Sequence, residues 1–346
     1  MPAQGPIDAG APKVLLLACG GTIASTRTGR DGAVPSLSAE QLTASLRLYD
    51  DHVELDARSF SLVPSSHATL DDVLRLHAQI MAAVAVDPAI SGVVVTHGTD
   101  TLEEVAFALD LLWSGVIPIV VTGAMRNASA LSPDGDANIA AAVATATSAA
   151  ARGLGVLVVM NDEIHAARFV RKSHPSNVAT FTSPTVGPIG FVAEGRPRIL
   201  LAPRTRSTLA VIPSSTADAS VALYTVTISD DGRLLRHVLA EGYRGIVIEG
   251  LGGGHVTPEI AGSDAFTALL SSIPVVLSTR SGAGEPLRST YSFVGSETDL
   301  RARGIISSGV LDGRKARVLL TLLIAGGATD AHVRAAFMDH GAQTGE

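Results

Sequence analysis

Short aliphatic runs that stop at glycine or at a small polar residue, separated by helical patterns, constrain this chain more than any other feature. Residues 13 to 19 (KVLLLAC) stop at Gly20-Gly21, and Gly92-Val93-Val94-Val95 stops at Thr96-His97-Gly98. A third run covers Ile117 to Thr122 and a fourth Val156 to Met160. Runs of this length without polar alternation read as strands buried on both faces. Between them, Ser38 with Gln41 and Thr69 with Asp72 fit capping boxes, the second opening a helix through Val73, Leu74, Leu76 and Ile80. Leu102 to Leu112 and the alanine-rich Ala137 to Ala151, stopped by Gly153, complete the alternation. Strand and helix taking turns predict an α/β fold with a mostly parallel sheet and helices on both faces.

The pattern weakens from about 203 to 220, where proline, arginine, serine and threonine dominate, a linker signal. A second alternation follows, with strands expected at Ala222 to Ile228, Gly245 to Glu249 and Pro274 to Leu277, and helices at Leu311 to Ile324 and Ala331 to Met338. The expected division is an N-terminal extension 1–12, a larger N-terminal α/β domain 13–202, a linker 203–220 and a smaller C-terminal α/β domain 221–346.

Several function classes drop out. With 46% hydrophobic and 17% charged residues, the 346-residue chain has the composition of a globular protein, not of a disordered segment or a coiled coil. A net charge of −7, with the 26 lysines and arginines scattered, makes a poor surface for nucleic acid or anionic membranes. Cys19 is the only cysteine, which excludes an intramolecular disulfide and a cysteine-rich metal site. Apolar stretches such as Val318 to Ala328 fall short of the roughly 18 residues that span a bilayer. Leu16-Leu17-Ala18-Cys19 resembles a lipoprotein cleavage site, but the apolar run from Val14 is too short for a signal peptide and Lys13 is the only positive charge before it. A buried first strand and a cytoplasmic protein are expected.

In open parallel sheets, ligands bind outside the carboxyl ends of the strands. The residues placed there are Gly20-Gly21-Thr22, Ser65-Ser66 after a strand expected near Phe60 to Val63, His97-Gly98-Thr99-Asp100, and Gly123-Ala124-Met125. Neither Gly20-Gly21 nor Gly250-Leu251-Gly252-Gly253-Gly254-His255 has dinucleotide spacing, and there is no Walker lysine, nucleophile elbow or paired zinc histidines. What remains can perform acyl transfer, since a threonine hydroxyl with a neighbouring base can attack a carbonyl and glycine turns offer backbone N–H groups to an oxyanion. Taken singly, each motif has a plainer reading: Gly20-Gly21 as a tight turn, Thr99-Asp100 as a helix cap, the serine pair as loop.

Together these segments resemble the bacterial-type L-asparaginase family. Gly20-Gly21-Thr22-Ile23-Ala24 and the run from Gly92 to Leu102 are similar to its two signature segments. Val121 to Arg126, Val159 to Asp162, Arg168 to Lys172, Val178 to Phe181 and Lys315-Ala316-Arg317 follow in the family's order. The resemblance implies a cofactor-free homotetramer of intimate dimers that hydrolyses L-asparagine to L-aspartate and ammonia, with lesser glutaminase activity. It implies Thr22 as nucleophile and acyl carrier, and Thr99, Lys172 and Asp100 as a second constellation. Asp100 would also hold the substrate's amino group and Ser65 its α-carboxylate. Ser66 would stand at a position that varies in the family, and Ala124 would make a backbone contact near the scissile amide. Segments Gly252 to His255 and Gly282 to Tyr291 of another subunit would complete the pocket. Two other readings stay open: the asparaginase-like subunit of a tRNA-dependent amidotransferase, and a non-catalytic amino-acid-binding or scaffold relative.

The sequence also departs from the family. Cys19 stands where threonine is usual before Gly-Gly, which predicts a packing difference only. In the segment Ser25 to Pro35, expected to be a mobile lid, Ala33 replaces the tyrosine that bonds the nucleophile, and no tyrosine precedes Tyr49. Tyr291 is the first candidate substitute, a polar lid residue such as Arg30 the second, and a weaker enzyme without the group the third. His97 is expected to be structural in its turn, His67 and His255 pocket or loop residues, Trp113 core, Arg168 a support for the Lys172 segment, and Asp162 a turn former.

Overall fold

The first apolar run forms β1 (Lys13–Ala18), every residue of which from Val14 onward has no exposed surface. A computed structural model describes residues 11–27, 32–44, 46–50, 52–203 and 206–341, so most of the expected extension 1–12 lies outside the described residues. The chain divides into two compact units, Met1–Arg206 and Ser207–Glu346.

In the first unit, β1 is followed by β2 (Ser25–Arg27), β3 (Ala33–Pro35), α1 (Ala39–Thr43), β4 (Glu54–Ser59), α2 (Leu70–Val86), β5 (Ile90–Thr96), α3 (Leu102–Leu112), β6 (Ile119–Thr122), α4 (Gly135–Thr147) and β7 (Val156–Met160). Then come β8 (Glu163–Ala166), β9 (Arg171–Lys172), β10 (Phe181–Thr182), β11 (Gly190–Ala193) and β12 (Arg196–Ile199). Eight strands make one sheet in the order β12-β11-β8-β7-β6-β5-β1-β4. From β4 to β7 neighbours are parallel, and β8, β11 and β12 continue antiparallel.

Burial on both faces is direct. Val14, Leu16, Ala18, Val94, Val120, Leu157 and Val159 pack with residues of α1 and α4 in one core. The alternate residues Leu15, Leu17, Val93, Val95 and Val121 point the other way and are as fully buried, on the face where α2 and α3 pack. Both expected capping boxes are present, Ser38 with Gln41 on α1 and Thr69 with Asp72 on α2.

Two elements differ from expectation. The strand placed near Phe60 to Val63 lies earlier, at Glu54–Ser59. Its sequence ELDARS pairs only with β1, so it is an edge strand and carries charge: Arg58 pairs with Asp56 at 2.6 Å, and Lys13 with Glu54 at 2.8 Å. The helix expected over Ala137 to Ala151 begins at Gly135 and stops at Thr147, with Ser148 extended and a separate turn at Ala149–Ala151. Near that end the hydroxyls of Thr145 and Thr147 bond back to the carbonyls of Ala141 and Val143, competing with the helix ladder.

In the second unit, β13 (Val221–Thr225), β14 (Gly245–Gly250), β15 (Val275–Thr279) and β16 (Ile306–Ser307) form a four-stranded parallel sheet in sequence order. The helices are α5 (Arg236–Ala240), α6 (Pro258–Ala261), α7 (Asp264–Ser272), α8 (Glu297–Ala302), α9 (Gly313–Ala325) and α10 (Asp330–His340). Residues 206–220 hold neither helix nor strand. No helix among the described residues is long and apolar enough to cross a membrane.

Candidate active site

Parallel register sets the site's position. Ala18 of β1 lies beside Ser59 of β4 and Thr96 of β5, and Thr96 beside Thr122 of β6, so four strands end at one edge of the sheet. The loops that leave this edge carry Gly20 to Thr22, Ser65, His97 to Asp100, and Gly123-Ala124.

Glycines let these loops close on one another. A methyl group on Gly98 would stand 2.6 Å from Ser65 Oγ, and one on Gly123 would stand 2.5 Å from the His97 carbonyl oxygen. Gly21, at φ +79°, turns the chain into the short 3-10 turn Thr22–Ala24, in a backbone region that side chains other than hydrogen enter at a cost. Thr22 is half-buried there. Ser25 Oγ donates to the Gly21 carbonyl at 2.8 Å and steadies the turn. Cys19 is buried beneath it, and burial pushes its thiol up to about 12, so it is not a thiolate nucleophile at neutral pH.

Lys172 reaches the edge from β9, which pairs with β10 through Lys172 opposite Phe181. Its Nζ donates to Thr99 Oγ1 and to Asp100 Oδ1, each at 2.8 Å. Thr99 is buried while the Asp100 side chain is 69% exposed, so the carboxylate remains open to a second cation. Ser65 is buried in the turn Ser65–His67, with its carbonyl accepting from Thr101 Oγ1 at 2.9 Å, and Ser66 is exposed beside it.

The loop after β6 is held by two residues that sequence reasoning missed. Asp134 accepts the backbone N–H groups of Met125 and Arg126, at 3.1 and 2.8 Å, and Asn138 Nδ2 donates to the Gly123 carbonyl at 2.9 Å. Together they pin the backbone on both sides of Ala124, which is fully buried. Their spacing, i and i+4 at the start of an alanine-rich helix, was the available signal. A third missed residue, the buried Glu103 of α3, accepts the Lys172 backbone N–H.

The structure thus brings Thr99, Asp100 and Lys172 into direct contact and packs the Thr22 and Ser65 turns against the Gly98 turn. His97 is buried with Nδ1 2.8 Å from the Gly98 carbonyl oxygen, and burial lowers its pKa, as suits a structural histidine. Trp113 is core, and Asp162 lies in a turn at φ 62°. The two ends of the segment expected to be a mobile lid pair as antiparallel strands, Ser25 with Pro35 and Arg27 with Ala33; Arg30 lies outside the described residues. Tyr291 belongs to the second unit, half-exposed, with its ring 5.2 Å from His255 and 5.8 Å from Phe293.

Residues 13–204 match the family model of the asparaginase N-terminal domain, and residues 220–337 that of the glutaminase/asparaginase C-terminal domain. The chain belongs to the asparaginase family. Among family members, it is 36% identical to an L-asparaginase of Bacillus licheniformis over 315 residues, 90% of this chain and 95% of that enzyme. It is 32% identical to a probable periplasmic L-asparaginase of Haemophilus influenzae, covering 90% of this chain and 88% of that protein. The crystal structure of a probable cytoplasmic L-asparaginase from Campylobacter jejuni matches with a TM-score of 0.82 at 30% identity, over 94% of this chain and 99% of that one. The asparaginase resemblance borne by the two signature segments therefore extends through both units.

Proposed function

We propose that the protein is an L-asparaginase that hydrolyses L-asparagine to L-aspartate and ammonia through an acyl-enzyme on Thr22. The observation that carries this reading is the pair of 2.8 Å bonds from Lys172 Nζ to Thr99 Oγ1 and Asp100 Oδ1. A zwitterionic substrate needs one anchor for each charge. The exposed Asp100 carboxylate offers one for the amino group, and Ser65, in the turn packed on Gly98, one for the α-carboxylate. Two anchors orient the side-chain amide and convert an encounter into a fixed geometry. Ser66 flanks the carboxylate anchor, and the backbone at Ala124 bounds the amide.

In the acylation step Thr22 Oγ bonds to the amide carbon, its proton passes to the leaving nitrogen, and ammonia departs. Water then attacks the ester, its proton returns to Thr22 Oγ, and aspartate leaves. Because Thr99 Oγ1 accepts from Lys172, the Thr99 hydroxyl proton is free to point at the reacting atoms. The reaction needs no cofactor. The proposal includes lesser glutaminase activity, a cytoplasmic location and a homotetramer of intimate dimers, with domain limits at 13–202 and 221–346.

Ammonia release from L-asparagine, L-glutamine and a blank by purified protein tests the reading. Release from L-asparagine that is lost in Thr22→Ala is expected. No ammonia from either free amide would leave the tRNA-coupled subunit or the non-catalytic binding protein.

A further inference from the structure

The geometry points to Glu103 as a positioning residue that sets Lys172 for the reaction, an inference that rests on the function proposed above and on the Lys172 contacts with Thr99 and Asp100 that carry it. Glu103 is 1% exposed in the first turn of α3, four residues beyond Thr99. Its Oε2 accepts the backbone N–H of Lys172, while Thr99 Oγ1 and Asp100 Oδ1 take the Nζ of the same residue. The five-residue stretch from Thr99 to Glu103 therefore holds Lys172 at both ends, its main chain and its ammonium.

The chemistry of the position supports a role beyond packing. A carboxylate with almost no exposed surface costs free energy unless it is hydrogen-bonded, and an aliphatic side chain of the same volume is the cheaper occupant of such a site. The first turn of a helix favours the negative charge in part. The strand that carries Lys172 is only two residues long, so the sheet alone gives its backbone little restraint. An acceptor fixed on α3 ties that backbone to the same helix start that carries Thr99 and Asp100. The long, flexible lysine side chain then begins from a defined point, which limits the conformations it must lose to reach Thr99.

The test compares Glu103→Met, which keeps the volume and removes the acceptor, with Glu103→Gln, which keeps both, using L-asparagine as substrate. Lys172→Met and the double variant Glu103→Met/Lys172→Met complete the set, with folding checked by circular dichroism. Glu103→Met should lower kcat by about thirtyfold while KM changes by less than about threefold, and Glu103→Gln should restore most of the rate. The double variant should be no slower than Lys172→Met, because a residue acting through Lys172 is silent without it. Unchanged kcat in Glu103→Met, glutamine as slow as methionine, or a further comparable loss in the double variant would each overturn the proposal. Should Glu103→Met not fold, Glu103→Ala makes the same comparison. Full activity in Lys172→Met would instead sink the reading of the site, and this inference with it, a result distinct from an inactive Lys172→Met beside a normal Glu103→Met.

Discussion

Gly21 and Gly98 meet backbone to backbone: a methyl group on Gly21 would stand 2.2 Å from the Gly98 Cα and 2.3 Å from its nitrogen. One glycine belongs to the turn that presents Thr22 and the other to the turn that presents Thr99 and Asp100. Their contact couples the proposed nucleophile's loop to the lysine-bonded loop through main chain alone.

Replacing Gly98 with alanine should therefore disturb the site more than the fold. The new methyl would meet Ser65 Cβ and Oγ at 2.6 Å and Gly21 Cα at 3.0 Å, so two loops must move apart. Overpacking of this kind costs about 1 to 3 kcal/mol. Gly98→Ala is expected to fold with a lowered Tm and to lose at least about tenfold in kcat/KM for L-asparagine, an increment of about 1.4 kcal/mol in the barrier. A variant with normal kcat/KM would show that the contact does not matter to the reaction.

Thr99→Ala and Lys172→Met should each lower kcat by about 10² to 10⁴, the range for a positioned acid or base. Since the two share a 2.8 Å hydrogen bond, the double variant should lose far less than the product of the single losses. Steady-state kinetics on the four proteins decides the matter. Multiplicative losses would mean that the two act separately.

Acid should weaken the fold through a buried histidine of β8. His165 has no exposed surface, and burial lowers its pKa from 6.5 to about 4. Below pH 6.5 the unfolded chain binds a proton that the folded chain refuses, so stability falls as the pH drops through that window. The full loss is on the order of 3 kcal/mol by pH 4. His165→Gln removes the titration and retains a polar partner for Ser183 Oγ, which lies 3.0 Å from His165 Nδ1. Denaturant titrations at pH 7, 5.5 and 4.5, all about the span of the two pKa values, should show the variant losing less stability than the parent. Equal losses would remove His165 from the account.

Tyr291→Phe tests the substitute for the absent lid tyrosine. The ring packs against His255 and Phe293, and those contacts survive loss of the hydroxyl. If Tyr291 supplies that hydroxyl from another subunit, kcat should fall at least about tenfold in Tyr291→Phe while the oligomer measured by light scattering is unchanged. Normal turnover in Tyr291→Phe together with a faster Ala33→Tyr would mean that the site works without such a group in the parent protein.

Much of this was legible because it is local. Val156 to Met160 and Leu102 to Leu112 were read to the residue, since aliphatic runs and helical periodicity need no knowledge of neighbours. Thr99 and Asp100 were legible as candidates because a strand end is itself a local mark. The edge strand β4 was misplaced because its charged residues hide the period that burial on one side would reveal. The spacing of Asp134 and Asn138 marks a helix start, as does Glu103, but not which backbone groups they hold.

Composition and periodicity were sufficient to establish two α/β regions and the strand ends where chemistry gathers, because each strand's burial is written in its own side chains. Which groups meet at those ends was settled by folding. Lys172 lies 73 residues from Thr99 and 69 from Glu103, and both hydrogen bonds form only after β5, α3 and the β9–β10 pair have taken their places around the sheet. A hydrogen bond is made or lost within a few tenths of an ångström, and no pattern confined to neighbouring residues encodes a separation of that precision.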